Sequence, residues 1–349
     1  MTHPTQAAVR RPVAKRTLSL HTERWPLRTP FRIAGHTWEE IELLICRIEQ
    51  AGVVGRGEGA GVYYLADTPD KMQAQVAAVS PQIESGISRE QLLELLPRGG
   101  ARNAVDCALW DLEAQLSQRS VWDFTGVGKG PVETVVTVGI EDDPARMAAK
   151  AAAASEFRNL KVKLDADRPL ERITAVREAR PDARLVVDVN QGWTLAQLQR
   201  FAPALQELDV AMIEQPLPRG DDGALSRYRS PVPLCADESC LDLHELNRAQ
   251  ECYQMINIKL DKCGGLTAAL ALATAARGRG LGLMVGNMLG TSLGMAPAHI
   301  IGRMADFADL DGPLLLARDR PGGMRYDGGR ISPPENGLWG GSDAARAPA

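Results

Sequence analysis

Eight short apolar runs, spaced roughly one helix apart, constrain this chain more than any other feature. They are TVVTVG (134–139), LKVKL (160–164), LVVDV (185–189), AMIE (211–214), PLCA (233–236), INIKL (256–260), LGLMVG (281–286) and ADLDG (308–312). Their starts recur every 20 to 30 residues, and a helix-length amphipathic stretch follows each. Helix starts are marked between them: Asp143-Pro144 supplies a cap and a first-turn proline, and Thr194 precedes Leu195, Leu198 and Leu205. Eight such units predict a (β/α) barrel. A doubly wound sheet is the alternative, but it lacks the glycine fingerprint after its first strand.

The grammar upstream is different. From Leu18 to about Glu58 apolar and polar residues alternate around a break at Glu49-Gln50-Ala51-Gly52, which predicts an antiparallel hairpin. Residues 70–119 change to helical spacing, clearest at Val105, Ala108, Leu109, Leu112 and Leu116. Strands followed by helices suggest a small α+β unit. Gly126 to Pro131 follows a helix and matches neither phosphate-loop pattern, so it reads as a linker. After the eighth run, a Gly- and Pro-rich stretch leaves no room for a full eighth helix and is expected to return to the N-terminal unit.

Composition excludes several classes. The 349 residues carry a net charge of −4, with no basic excess to neutralise a phosphate backbone, which argues against nucleic acid as partner. No run approaches the roughly 18 apolar residues of a membrane span. The opening segment has charge but no apolar core, so a cytoplasmic protein with a flexible start (1–16) is expected. Six cysteines form no CxxC pair and read as reduced thiols. Five histidines show no metal-pair spacing, so any metal must be held by oxygen.

In a barrel, chemistry sits where strands end. Applied run by run, that filter selects Lys161 and Lys163, then Asp188 and Asn190, Glu214, Asp237 and Glu238, Lys259, and finally Asp309 and Asp311. Lys163, Asp188, Glu214, Asp237 and Lys259 follow one another at intervals of 22 to 26 residues, one βα unit each. Three acids on successive strands would repel at the barrel mouth unless a cation joined them. Oxygen ligation favours Mg²⁺, with Mn²⁺ as substitute. Taken singly, Asp188 or Asp237 reads equally as a helix cap. Alternation turns Lys161 and Lys163 to one face, and a nearby metal and second lysine are expected to depress their pKa values.

These residues in this order resemble the enolase superfamily, in its muconate-lactonising subgroup. PLRTPF (26–31), ARNAVDCALWDL (101–112), LKVKLD (160–165), MIEQPLP (212–218), ADESC (236–240), NIKLDKCGGL (257–266) and DLDGPLLL (309–316) are similar to the dipeptide epimerases. The resemblance implies an α/β fold, a modified (β/α)7β TIM-like barrel under an α+β capping domain built from the N-terminal segment and the C-terminal tail. The expected parts are capping domain 1–130, barrel 131–314, return 315–341 and disordered tail 342–349.

It further implies that Asp188, Glu214 and Asp237 ligate Mg²⁺ and that Lys163 and Lys259 exchange the α-proton of a dipeptide such as L-Ala-L/D-Glu from murein peptides. Lys161 would hold the carboxylate, and Asp309 and Asp311 the free ammonium. Thr137, Asn287 and Met288 would line the pocket, although Met288 alone also reads as core. For the substrate's side chain, the stretch Arg32-Ile33-Ala34-Gly35-His36-Thr37 offers Arg32 or His36, or the specificity has moved away from Glu. Tyr63 and Tyr64 read either as a closing loop or as a hairpin tip. A homo-oligomer is expected. Related alternatives are an N-acylamino acid racemase, an o-succinylbenzoate synthase, a muconate cycloisomerase or a non-catalytic binder.

Overall fold

The computed structural model describes residues 15–33, 36–335 and 337–341. Most of the expected flexible start and the whole of the expected tail 342–349 lie outside them, as do Ala34 and Gly35. Strands β1 (Thr17–Ile33), β2 (His36–Gln50) and β3 (Val53–Gly59) form an antiparallel meander. This is one strand more than a hairpin, because β1 and β2 are long enough to pair through Ile33 and His36 while Gln50 and Val53 pair across the predicted break. On β3 the alternating glycines make room. A Cβ on Gly57 would meet the Ala104 carbonyl oxygen at 2.0 Å, so helix Gly100–Ser117 lies directly on the strand backbone.

That helix departs from the amphipathic reading. Fourteen of its residues are buried, because its second face docks on the barrel. Arg102 donates to the Cys263 and Gly264 carbonyls, and Asp106 accepts from the Thr267 amide and hydroxyl. The polar groups buried on that face are therefore paired, which removes most of their desolvation cost.

After β4 (Val132–Glu133), eight parallel strands follow in unbroken neighbour order: β5 (Val135–Val138), β6 (Asn159–Lys163), β7 (Arg184–Asp188), β8 (Val210–Glu214), β9 (Leu234–Ala236), β10 (Met255–Lys259), β11 (Gly282–Gly286) and β12 (Phe307–Ala308). A parallel bridge from Thr134 to Ala308 joins the last strand to the first. Both predicted helix starts are present, with Asp143 capping Pro144–Ala153 and Thr194 forming a capping box with Gln197. Between β8 and β9 the expected helix is only the 3-10 turn Asp222–Arg227, since Pro216, Pro218, Gly220, Pro231 and Pro233 leave too little uninterrupted chain.

Strand alternation divides the barrel into two cores. Leu185, Val187, Ile213, Ile256 and Ile258 point outward into the main cluster beneath the helices. Val186, Met212, Cys235, Met255, Met284 and Phe307 point inward and plug the barrel. Each of the first three lies two residues before an acid at the mouth, so the apolar plug is the floor of the site.

The segment after β12 folds into the short helix Gly312–Leu315, then Leu316 bridges to Leu27 and the Ala317 amide donates to the Pro26 carbonyl. β13 (Tyr326–Asp327) pairs with β14 (Arg330–Ile331), which in turn pairs with β4. Trp339 Nε1 then reaches the Cys107 carbonyl at 3.0 Å on the capping helix. All six cysteines are free and buried, and among the described residues no helix is long and apolar enough to cross a membrane.

Candidate active site

Register assembles the site. Lys163 on β6 stands beside Asp188 on β7, and Asp188 beside Glu214 on β8, while Asp237 follows the end of β9. Lys259 ends β10, and Gly286 beside it leaves the space it uses: a Cβ there would meet the Lys259 Cε at 2.9 Å. Strands two and six of an eight-stranded barrel lie half a circumference apart, so Lys163 and Lys259 face one another across the mouth. Both line one cavity, together with Thr137, Lys161, Asp237, Asn287, Met288, Asp309 and Asp311.

The charges are buried and paired. Lys161 is 1% exposed, and its Nζ lies 2.9 Å from Asp188, 2.8 Å from Glu214 and 2.7 Å from Asp309. Lys163 Nζ donates to Asp188 at 2.6 Å and to Asn190 at 2.9 Å. Asp237 receives Lys259 on Oδ2 at 2.8 Å and meets Lys262 on Oδ1 at 2.7 Å. Among the described residues, no three acid, histidine or cysteine groups form a closed cage, because ammonium groups stand between the carboxylates.

Electrostatics follow from that company. Burial alone would raise Asp188 and Asp237, but Lys161 and Lys163 on one, and Lys259 and Lys262 on the other, hold both below the usual carboxylate range. Glu214 is raised, first by burial and then by Asp188. Glu238, adjoining Asp237, is pushed up to about 8 by burial and then by Asp237 and Asp188. Among these carboxylates Lys161 and Lys259 are both raised. Burial lowers both, yet Asp188, Asp309 and Glu214 outweigh it for Lys161, and Asp237 leads the groups that raise Lys259. Carboxylates surround these amines, and only a competing cation would withdraw their support.

The donor set fits a hard divalent ion. Three carboxylates from adjacent strand ends are 0 to 1% exposed, and Glu214 Oε2 and Asp237 Oδ1 make no well-aligned hydrogen bond, each meeting only a lysine ammonium, Lys161 at 2.8 Å and Lys262 at 2.7 Å. A buried cluster of carboxylates needs cations to neutralise it, and oxygen-only donors favour Mg²⁺.

At the far side of the mouth, Asp311 accepts the Thr137 amide at 2.8 Å, and Asn287 Nδ2 donates to the Asp309 carbonyl at 2.6 Å. Asp311 is pushed up to about 7, by burial and then by Asp309. Phe31, Ile33, Trp38, Tyr63 and Tyr64 of the capping unit complete the wall. Arg32 and His36 do not line it. Arg32 points outward to Asp142 at 3.4 Å and is 54% exposed, and exposed His36 packs its ring 4.1 Å from that of Trp38. Alternation explains Arg32, whose neighbours Phe31 and Ile33 take the inward face.

Three participants escaped the sequence reading. Lys262 sits beyond its strand on the helix Leu260–Cys263, where strand alternation gives no signal. Asn257, which donates to Glu214 Oε1 at 2.7 Å, could have been found by counting two residues back from Lys259. Gln215 directly follows Glu214 and turns its amide under the site.

A closed parallel barrel with acids and lysines at its strand ends, roofed by an α+β cap, defines a class, and the chain belongs to the corresponding family. Residues 144–338 match the enolase C-terminal domain-like family and residues 15–126 the N-terminal domain of mandelate racemase / muconate lactonizing enzyme. Within it, the chain is 43% identical over 321 residues to the L-Ala-D/L-Glu epimerase of Escherichia coli (strain K12), covering 90% of this chain and 99% of the relative. An enolase family member from Agrobacterium tumefaciens, solved with bound sodium and L-Ala-L-Glu, superposes with a TM-score of 0.91 at 40% identity, covering 93% of this chain and all of that one. The dipeptide epimerase of Enterococcus faecalis V583, complexed with Mg and L-Leu-L-Tyr, gives 0.86 at 27% identity, with 94% and 99% covered.

Proposed function

We propose that this chain is a Mg²⁺-dependent dipeptide epimerase that inverts the α-carbon of the C-terminal residue, with L-Ala-L/D-Glu as substrate. The observation that carries the reading is the pair of buried lysines on opposed strands facing one cavity. Asp188, Glu214 and Asp237 would hold Mg²⁺, or Mn²⁺ in its place. Bound there, the ion supplies a Lewis acid for the substrate's carboxylate and the negative charge that develops on it. Lys163 Nζ removes or returns the Cα proton on one face, and Lys259 Nζ does so on the other, so the stereocentre inverts. Lys161 contributes a fixed positive charge on the carboxylate side, and the apolar plug beneath keeps the groups out of bulk water. Asp309 and Asp311 would take the dipeptide's free ammonium. Murein peptides are the source that the resemblance implies, and six reduced thiols suit a cytoplasmic enzyme.

Incubating L-Ala-L-Glu with the Mg²⁺-loaded protein in D₂O tests the reading directly. Deuterium at the α-carbon of the second residue, with both diastereomers formed, is expected. A non-catalytic binder leaves that hydrogen in place.

Double replacement of Asp309 and Asp311 by Asn separates dipeptides from N-acylated substrates, which have no ammonium to bind. Dipeptide turnover is expected to fall by about 10²-fold or more, as when a buried charge loses its partner, with divalent-ion binding retained. Undiminished turnover would redirect the assignment to an acylated substrate. The sign of the pH effect follows from Asp311, which is raised to about 7. Below that pH its carboxyl is protonated and offers the ammonium no charge, so the dipeptide KM should rise as pH falls through 7.

The capping wall favours a second reading, an epimerase for dipeptides whose second side chain is apolar. Among the described residues no arginine or histidine lines the cavity, whereas Phe31, Ile33 and Trp38 do. A Glu carboxylate against that wall would be desolvated without a partner. On this reading kcat/KM for L-Ala-L-Leu exceeds that for L-Ala-L-Glu by about 10-fold or more. The opposite order in a steady-state comparison selects Glu.

A further inference from the structure

Gln215, which follows Glu214, adopts φ 35°, in the left-handed region that a side chain bearing a Cβ enters only under constraint. It is fully buried, and both ends of its amide are engaged. Oε1 accepts the amides of Asp237 at 2.9 Å and Ser239 at 3.0 Å. Nε2 donates to the Leu217 carbonyl and Ser239 Oγ, both at 2.8 Å, and to the Tyr253 hydroxyl at 3.1 Å. Its main chain is engaged on both sides as well: the amide donates to the Cys235 carbonyl at 2.9 Å, and the carbonyl accepts the Gln191 amide at 2.8 Å.

The loops after Asp188, Glu214 and Asp237 therefore meet on one residue. Each bond alone is modest, but together they fix where β9 delivers Asp237 relative to Glu214. Simple core filling would not demand this. An apolar side chain of the same length fills the volume and makes none of the five side-chain bonds.

We propose that Gln215 is a positioning residue that sets the spacing of the Glu214 and Asp237 carboxylates for a divalent ion, chiefly through Oε1 on the Asp237 amide. The inference rests on the divalent-ion reading above. Gln215 does not line the cavity, so its contribution belongs in metal affinity more than in the proton-transfer step.

The test is Mn²⁺ binding to the full chain, followed by electron paramagnetic resonance without substrate, with thermal melting alongside to report the fold. Gln215→Met keeps the volume and loses the bonds, and its Mn²⁺ dissociation constant should rise about 10- to 100-fold, the scale seen when supporting partners of metal ligands are removed. Gln215→Glu keeps the acceptor facing Asp237 and should bind more tightly than the Met variant. Should Gln215→Met not fold, the Ser239→Ala, Tyr253→Phe double variant removes two of the three anchors of Nε2, and weaker Mn²⁺ binding is again expected. Wild-type affinity in a folded Gln215→Met protein, or in the double variant where that is the one that folds, overturns the proposal. Absence of Mn²⁺ binding by the wild-type chain overturns the divalent-ion reading itself.

Discussion

Lys163→Ala and Lys259→Ala each lower epimerisation by about 10²- to 10⁴-fold, the contribution of a positioned general acid or base, and they fail in complementary ways. The argument is topological. Lys163 ends the second barrel strand and Lys259 the sixth, and both face one cavity, so on the proposed reading their amines would approach a bound α-carbon from opposite faces. Removing one leaves the other able to take the proton from a single diastereomer and return a solvent deuteron to the same face. In D₂O, proton NMR should therefore show α-exchange of L,L-dipeptide by one variant and of L,D-dipeptide by the other, with little interconversion in either. Both variants losing exchange of the same diastereomer would sink the two-faced arrangement.

Lys161→Met has its largest effect on stability without metal. The Lys161 ammonium is the shared partner of Asp188, Glu214 and Asp309, all buried. Removing one member of a buried ionic cluster leaves uncompensated charge, at a cost of about 3 to 5 kcal/mol. Urea denaturation of chelator-treated protein should show that loss. Saturating Mg²⁺ should recover part of it, about 2.7 kcal/mol at 100 times the dissociation constant, because the ion replaces the missing positive charge. A chelator-treated variant as stable as its parent would mean the carboxylates are neutralised by other groups.

Much of the site could be read from the chain because strand alternation is a local property. Lys161, Lys163, Asp188, Glu214, Asp237 and Lys259 end apolar runs of matching phase, and the residues two positions before the acids face the barrel interior. The barrel itself followed from the same period and from the length of the intervening helices. The capping unit was less readable. The α+β order of its elements was visible, but not the third strand of the meander, nor the burial of helix Gly100–Ser117 on both faces. That helix meets the barrel through partners about 160 residues away, which no local pattern encodes.

The eight-strand barrel and the acids and amines at its mouth are encoded locally, because backbone periodicity decides which side chains share a face. It takes the folded chain to stand Lys161 among three carboxylates, to bring Lys262 and Gln215 to the site from outside the strand pattern, and to turn Arg32 to Asp142 instead of the cavity. The physical reason is reach. Long side chains and loop amides choose partners by proximity in the folded chain, and here those partners come from segments as far as 174 residues apart in sequence.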